Sequence, residues 1–219
     1  MAAKGELPQV IFLDAVGTLF GVAGSVGKQY GDVARRFGVT ANDAKLDRAF
    51  FQAFEMAPPC VFPEAEGEEL QRLEFAWWKA IAVETFEAAE VMHQLRDFDT
   101  FFLALYDHFA TATPWELYPE TVPTLGQWRS LGVELGVISN FDTRLYRVLT
   151  VLGLVDFFQG ITLATEVGAA KPNPLVFASA LQKHHCEPDR AMHIGDSFKE
   201  DYQGAKQVGM QARWVQRKT

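Results

Sequence analysis

Val10-Ile11-Phe12-Leu13-Asp14-Ala15-Val16-Gly17 is a run of four apolar residues that stops at a carboxylate and then at a glycine. Four consecutive apolar side chains leave no polar face, and a turn signal follows them directly. The stretch therefore predicts a short strand buried on both sides. The same design returns downstream. Leu135-Gly136-Val137-Ile138 ends at Ser139-Asn140, and Ala191-Met192-His193-Ile194 ends at Gly195-Asp196. Gly160-Ile161-Thr162-Leu163 and Ala212-Arg213-Trp214-Val215 are two further candidates. Between them, Thr121 to Leu131, Arg144 to Leu152 and Pro174 to Leu181 carry apolar residues at three- and four-residue spacing, the period of an amphipathic helix. Alternation of strand and helix after residue 115 predicts a parallel sheet covered by helices.

Residues 21 to 113 read differently. No strand signal stands out there, whereas Ser25 to Phe37, Asn42 to Phe54, Glu68 to Phe86 and Phe98 to Ala110 have helical periodicity, punctuated by Gly38 and Pro58-Pro59. A helical block that interrupts a strand-helix pattern is an inserted domain. The expected architecture is α/β: a doubly wound parallel sheet, Rossmann-like, built from residues 1–20 and 114–219, with an all-helical domain of residues 21–113 inserted between Phe20-Gly21 and Thr113-Pro114.

Composition narrows the function classes. The chain has 219 residues, enough for a sizeable core, and its 48% hydrophobic and 22% charged residues are those of an ordinary globular protein. A net charge of -8 with scattered lysines and arginines argues against a nucleic-acid partner. The opening residues Met1 to Glu6 have no apolar stretch of signal-peptide length, and no run is long enough to span a membrane. Cys60 and Cys186 lack metal-type spacing, and two thiols fit a reducing compartment; the expected location is cytoplasmic. The oligomeric state is left open, a homo-oligomer included.

The chemistry should lie where strands end, since the carboxyl ends of an open parallel sheet form its site crevice. Three of the strands deliver Asp14, Ser139 and Asp196 there, and Lys171, just before the helix at Pro174, could reach the same edge. Singly, each has a plain structural role: Asp14 and Asp196 as turn or capping residues, Ser139-Asn140 as a helix cap, Lys171 as a surface lysine, Asp201 as a cap. Their joint occurrence favours a site. His184-His185-Cys186 lacks ligand spacing and reads as a solvated helix end, His193 as a packing residue of its strand, and Trp77-Trp78 as core of the helical block.

Four stretches in order, Phe12 to Leu19, Ile138 to Asp142, Lys171 to Pro174 with Glu166-Val167-Gly168 before it, and Ile194 to Asp201, resemble the four motifs of the haloacid-dehalogenase-like hydrolases. The resemblance covers nearly the whole chain, because the helical insert stands where that family has its cap. It implies Asp14 as a nucleophile that forms a covalent aspartyl intermediate. It implies Mg2+ held by Asp14, Asp196 and the backbone carbonyl of Val16, with Asp201 as a further ligand or as the residue that positions Lys171. Ser139, Asn140 and Lys171 would bind the transferred group, and Gly17 and Thr18 would shape the loop after the nucleophile. The implied substrate is a small phosphorylated molecule.

One residue departs from the pattern. Most phosphatases of this family carry a second aspartate two positions after the nucleophile, which protonates the leaving oxygen; here that position is Val16. A positioned acid contributes ~100- to 10,000-fold in rate. Dehalogenase-like or phosphonatase-like hydrolysis, or a low-turnover binder of phosphate and metal, are therefore the alternatives. The dehalogenases of the family work without metal and do not need Gly195-Asp196, and the phosphonatases use a lysine of the insert, where Lys45 and Lys79 match no motif.

Overall fold

The structure, a computed structural model, describes residues 7–217; Met1 to Glu6, read above for a leader, lie outside the described residues. The chain forms two compact units.

The first unit comprises the residues up to Gly21, Cys60–Glu66, and Leu117 onward. Its sheet is built from β1 (Val10–Leu13), β4 (Glu134–Ser139), β5 (Gly160–Leu163), β6 (Ala191–Gly195) and β7 (Gln211–Trp214), once β2 (Phe20–Val22) and β3 (Trp115–Leu117) are numbered in chain order. The order across the sheet is β5-β4-β1-β6-β7, and every pairing is parallel. β1 is central and all four of its residues are buried, as an uninterrupted apolar run requires of a strand covered on both faces. Its register sets Leu13 beside Val137 and Ile194, so Asp14, Ser139 and Gly195-Asp196, at or just after the strand ends, fall along one edge.

Helices α5 (Thr121–Ser130), α6 (Arg144–Val151), α7 (Ala164–Val167), α8 (Pro174–Lys183) and α9 (Gly204–Gln207) complete this unit. α8 starts where the sequence says it should: Pro174 occupies the first turn, and the Asn173 side chain accepts from Leu175 N–H at 3.0 Å. Its Val176, Phe177 and Ala180 pack with Val10, Phe12 and Ile138 into one apolar cluster. His184 at the end of α8 corrects the expectation of a solvated helix end. It is buried, its Nδ1 lies 2.6 Å from Glu134 Oε1, and its ring meets Phe12 edge-on at 4.9 Å.

The second unit comprises Val22–Pro59 and Gly67–Glu116. Four helices form it: α1 (Val26–Arg36), α2 (Asp43–Met56), α3 (Gly67–Ala88) and α4 (Phe98–His108). Ser25, Asn42 and Asp97 cap α1, α2 and α4 by accepting from the backbone N–H three residues on. The core is aromatic, with Tyr30, Phe50, Phe86, Phe101 and Phe102 buried among Val33, Leu46 and Leu105. Trp77 and Trp78 pack at its border and are only partly buried.

Two details differ from the sequence reading. The strands β2 and β3 pair with each other where the chain passes between the units, and the unit boundaries fall at Gly21/Val22 and Glu116/Leu117. Strands of three residues give too little periodicity to read. The other difference is Cys60–Glu66, which groups with the sheet unit rather than with the helices around it in sequence. Pro58, Pro59 and Pro63 cannot continue α2, and Pro63 settles against Gly168, its Cα only 3.1 Å from where a β-carbon of that residue would stand. Among the described residues no helix is long and apolar enough to cross a membrane.

Candidate active site

Asp14 leaves the end of β1 with its N–H bonded to Ile194 O at 2.9 Å, which ties it to the neighbouring strand β6. The chain then turns sharply. Gly17 adopts φ +87°, its N–H bonds Phe20 O at 2.8 Å, and Val16 bridges to Phe20. Glycine is required here twice over, by the positive φ and by Asp196: a β-carbon on Gly17 would stand 2.2 Å from Asp196 Oδ2. The turn after the nucleophile candidate thus presses its backbone against the second aspartate. Thr18 is buried, and its Oγ1 has no hydrogen-bond partner among the described residues.

Lys171 is buried rather than solvated, and its Nζ donates to Asp14 Oδ1 and to Asp201 Oδ1, each at 2.6 Å. Burial works against its charge, but the two facing carboxylates outweigh burial and hold the ammonium well above the usual lysine range. Asn140 braces the same lysine from behind. Its Oδ1 accepts from Lys171 N–H at 2.8 Å, and its Nδ2 donates to Lys171 O and to Glu200 Oε2, both at 3.2 Å. Ser139, buried at the end of β4, accepts from Phe141 N–H through Oγ at 3.3 Å.

Asp201 is the most satisfied acid of the group. Its Oδ1 also faces His193 Nε2 at 2.9 Å, and its Oδ2 accepts from Ser197 N–H at 2.9 Å. Burial opposes its charge, yet Lys171 and His193 pull its carboxyl far below the ordinary range. It sits in a π-helical segment, Phe198–Gln203, whose wider turn folds Asp201 back over β6. Only glycine permits that, because a β-carbon on Gly195 would stand 2.1 Å from Asp201 Cγ.

Asp196 is the opposite case. It is exposed, and no lysine, arginine or histidine among the described residues forms an ion pair with it. Partial burial and the neighbouring Asp201 push its carboxyl upward. The Asp14 carboxyl is raised too, by burial against the partial relief of Lys171. Carboxylate oxygens of Asp14, Asp196 and Asp201 lie within 4.8 Å of one another. Glu200 adds a fourth acid, raised mainly by burial. Three clustered carboxylates against one lysine leave a surplus of negative charge in a set of hard oxygen donors. That donor set fits Mg2+.

The structure thus brings together Asp14, Gly17, Ser139, Asn140, Lys171, Asp196 and Asp201, with Val16 and Thr18 in the turn between. Three contributors went unread. His193 carries a hydrogen bond to Asp201 besides its packing. Glu200 touches Asn140. Arg217 donates to Gly17 O at 3.0 Å and to Thr18 O at 2.7 Å, pairs with Glu120, and lies over the Tyr118 ring. Lys45 and Lys79 of the helical unit are tied to Glu90 at 2.5 Å and to Asp99 at 2.6 Å.

A carboxylate and lysine cluster at the C-terminal edge of a five-stranded parallel sheet defines a doubly wound α/β protein with an enzyme-like site. A haloacid dehalogenase-like hydrolase family profile matches residues 8–209, and the chain belongs to that family. The mouse haloacid dehalogenase-like hydrolase domain-containing protein 3 is 36% identical over 202 residues, spanning 90% of this chain and 77% of the mouse protein. A glyceraldehyde 3-phosphate phosphatase of Methanothermobacter thermautotrophicus is 41% identical over 96 residues, 43% of this chain and 42% of that one. The L-2-haloacid dehalogenase of Xanthobacter autotrophicus shares the fold, with a TM-score of 0.70 at 16% identity over 97% of this chain and 79% of its own.

Proposed function

We propose that this hydrolase is a Mg2+-dependent phosphatase of small phosphomonoesters that uses Asp14 as nucleophile. One observation carries the reading: Lys171 satisfies Asp14 and Asp201 while Asp196, in the same cluster, has no cationic partner among the described residues. A metal-independent dehalogenation site has no use for that surplus charge. The likeness to a glyceraldehyde 3-phosphate phosphatase over 96 residues also supports phosphate ester chemistry.

Asp14, Asp196 and the Val16 carbonyl would hold the cation, with Asp201 serving as the anchor of Lys171, since three donors already occupy its oxygens. The cation supplies charge neutralisation between an anionic nucleophile and an anionic ester. An Asp14 carboxylate oxygen attacks phosphorus, the P–O bond to the leaving group breaks, and the electron pair departs with that oxygen. Lys171 and the N–H groups after Ser139 stabilise the charge on the phosphoryl oxygens. Water then hydrolyses the aspartyl phosphate, releasing inorganic phosphate and restoring Asp14. Thr18, buried in the turn after Asp14, would shape the loop beside the substrate. The helical unit is proposed to act as a cap that keeps the substrate small.

Val16 favours a second reading, in which the protein hydrolyses only esters with good leaving groups or retains phosphate with little turnover. Turnover of p-nitrophenyl phosphate with and without Mg2+, beside a 2-haloacid and a phosphonate, separates these. The expected result is Mg2+-dependent phosphate release, lost in Asp14→Asn, with a phosphoryl adduct mapped to Asp14 by mass spectrometry. Halide release without metal would overturn the proposal.

A further inference from the structure

We propose that His193 is a positioning residue of this site, whose Nε2–H fixes the Asp201 carboxylate and thereby holds Lys171 against Asp14. The role rests on Asp14 and Lys171 being the working pair of the proposed phosphatase.

His193 lies in the middle of β6, in register with Phe12 of β1, two residues before Asp14. It is fully buried, and its ring meets Phe177 edge-on at 5.5 Å. A histidine placed only for packing would leave two polar nitrogens unsatisfied in apolar surroundings, which is costly. Here one nitrogen is committed. Nε2 stands 2.9 Å from Asp201 Oδ1, the same oxygen that receives Lys171 Nζ at 2.6 Å. Asp201 is ionised, so it only accepts, and Nε2 must carry the hydrogen. Burial pushes the basicity of the ring down, and Nδ1 has no partner among the described residues.

The consequence is a chain of contacts from His193 through Asp201 and Lys171 to Asp14, all of them buried. The carboxylate of Asp201 is held at three points: Ser197 N–H on Oδ2, His193 and Lys171 on Oδ1. Without His193 one point remains besides the lysine itself, so Oδ1 keeps only the flexible lysine and the carboxylate is held less firmly about its last bond. Lys171 is a flexible four-carbon chain with a point charge, so its position depends on what the carboxylates impose. A rigid strand residue therefore sets the place of a flexible site residue.

His193→Gln and His193→Asn separate this from a structural role. The glutamine amide reaches about as far as Nε2 and can donate to Asp201, whereas the asparagine amide stops near the position of Nδ1. Both leave a polar group at the same buried place. The 15Nζ signal of Lys171 in metal-free protein reports its immobilisation without any assay of turnover. We expect a slowly exchanging Lys171 ammonium in the native protein and in His193→Gln, and a signal broadened away in His193→Asn. With p-nitrophenyl phosphate, kcat should fall about tenfold in His193→Asn and stay within about threefold in His193→Gln, with KM changed less than kcat in both. Equal behaviour of the two variants in the ammonium signal would overturn the role. So would a native His193 whose 15N shifts give the Nδ1–H tautomer. If the ammonium signals behave as expected but no phosphate ester is hydrolysed, the positioning stands and the phosphatase reading fails.

Discussion

Lys171 and Asp14 meet at 2.6 Å across 157 residues of chain, and both side chains are buried. An ammonium this deep is tolerated only because two carboxylates face it, and those carboxylates are tolerated largely because of it. Lys171→Met keeps the length of the side chain and removes the charge. Breaking a buried ionic group by deleting one partner costs about 3–5 kcal/mol, because the others are left without compensation. The loss should depend on pH. Asp201 has its folded pKa lowered, so its contribution is present above its unfolded value near 3.8 and disappears as pH falls through the lower folded value. The raised Lys171 contributes below about pH 10.5 and loses that contribution only as pH rises through its higher folded value. Asp14, already raised by burial, takes up a proton more readily once the lysine is gone. Urea unfolding should therefore show a larger deficit for Lys171→Met at pH 8 than at pH 5. A deficit below about 1 kcal/mol at both would show that the ionic group contributes nothing to the fold.

Asp196 leads to a different outcome, because it is exposed and has no cationic partner among the described residues. Mg2+ should raise the melting temperature of the native protein, by an amount equivalent to about 2.7 kcal/mol when the ion is at 100 times its dissociation constant. In Asp196→Asn the shift should vanish. The metal-free variant should melt no lower than the metal-free native protein, since its raised carboxyl pKa means that folding disfavours the ionised form. Thermal melts of both proteins over a Mg2+ series decide it, and an undiminished shift in the variant removes Asp196 from the metal site.

Arg217 grips the turn after Asp14 from the far end of the chain, 200 residues away. Its guanidinium reaches two carbonyls, Gly17 O and Thr18 O, and stacks on Tyr118 with 3.4 Å from its central carbon to the ring centroid. Hydrogen bonds from a charged donor are each worth about 1.5–3 kcal/mol, less where solvent reaches them. Arg217→Ala should lower stability by about 1–3 kcal/mol. Arg217→Lys should recover less than half of that, because a single ammonium cannot span both carbonyls and lie flat on a ring. A lysine variant as stable as the native protein, in parallel urea titrations, would show that charge rather than the planar fork matters there.

These residues mark how far the sequence could be read. The sheet was legible because Val10 to Leu13 is buried on both faces and so is apolar without interruption. Ser25, Asn42 and Pro174 announced their helices through side chains suited to helix starts. The placement of Asp14, Ser139 and Asp196 along one sheet edge was legible from the strand pattern, because each alone could be a turn or capping residue but all three end buried parallel strands. Partners were not. Nothing in sequence links Arg217 to Gly17, or Asn140 to the peptide of Lys171, since each contact is made by the packing of strands far apart in the chain. His184 was misjudged, and the Asp201 contact of the correctly placed packing residue His193 went unread, for one reason: whether a buried imidazole has a partner depends on a residue eight or fifty positions away. Segment 60–66 returns to the sheet unit through the fit of Pro63 against Gly168, which no local pattern encodes.

Val16 is where the chemistry departs from the family pattern. A phosphatase without a leaving-group acid should depend steeply on the leaving oxygen: aryl phosphates depart as stable anions, whereas alkyl phosphates need a proton. The same absent group ordinarily activates water in the second step, so phosphoryl-Asp14 should accumulate and the time course should show a burst. Introducing the acid tests this directly. The backbone of the turn is held by Gly17 N–H to Phe20 O at 2.8 Å, by the Val16–Phe20 bridge and by Arg217, so Val16→Asp changes a half-buried side chain without releasing the loop. A carboxyl at position 16 belongs to the turn that links Asp14 to Gly17, which packs against Asp196, and negative charge nearby favours the protonated form that a leaving-group acid needs. Turnover of an alkyl phosphate should rise by up to ~100-fold, that of an aryl phosphate by far less, and the burst should shrink. Equal native rates on the two classes of ester would show that another residue supplies the proton, and a variant without gain on the alkyl ester would show that position 16 does not face the leaving group.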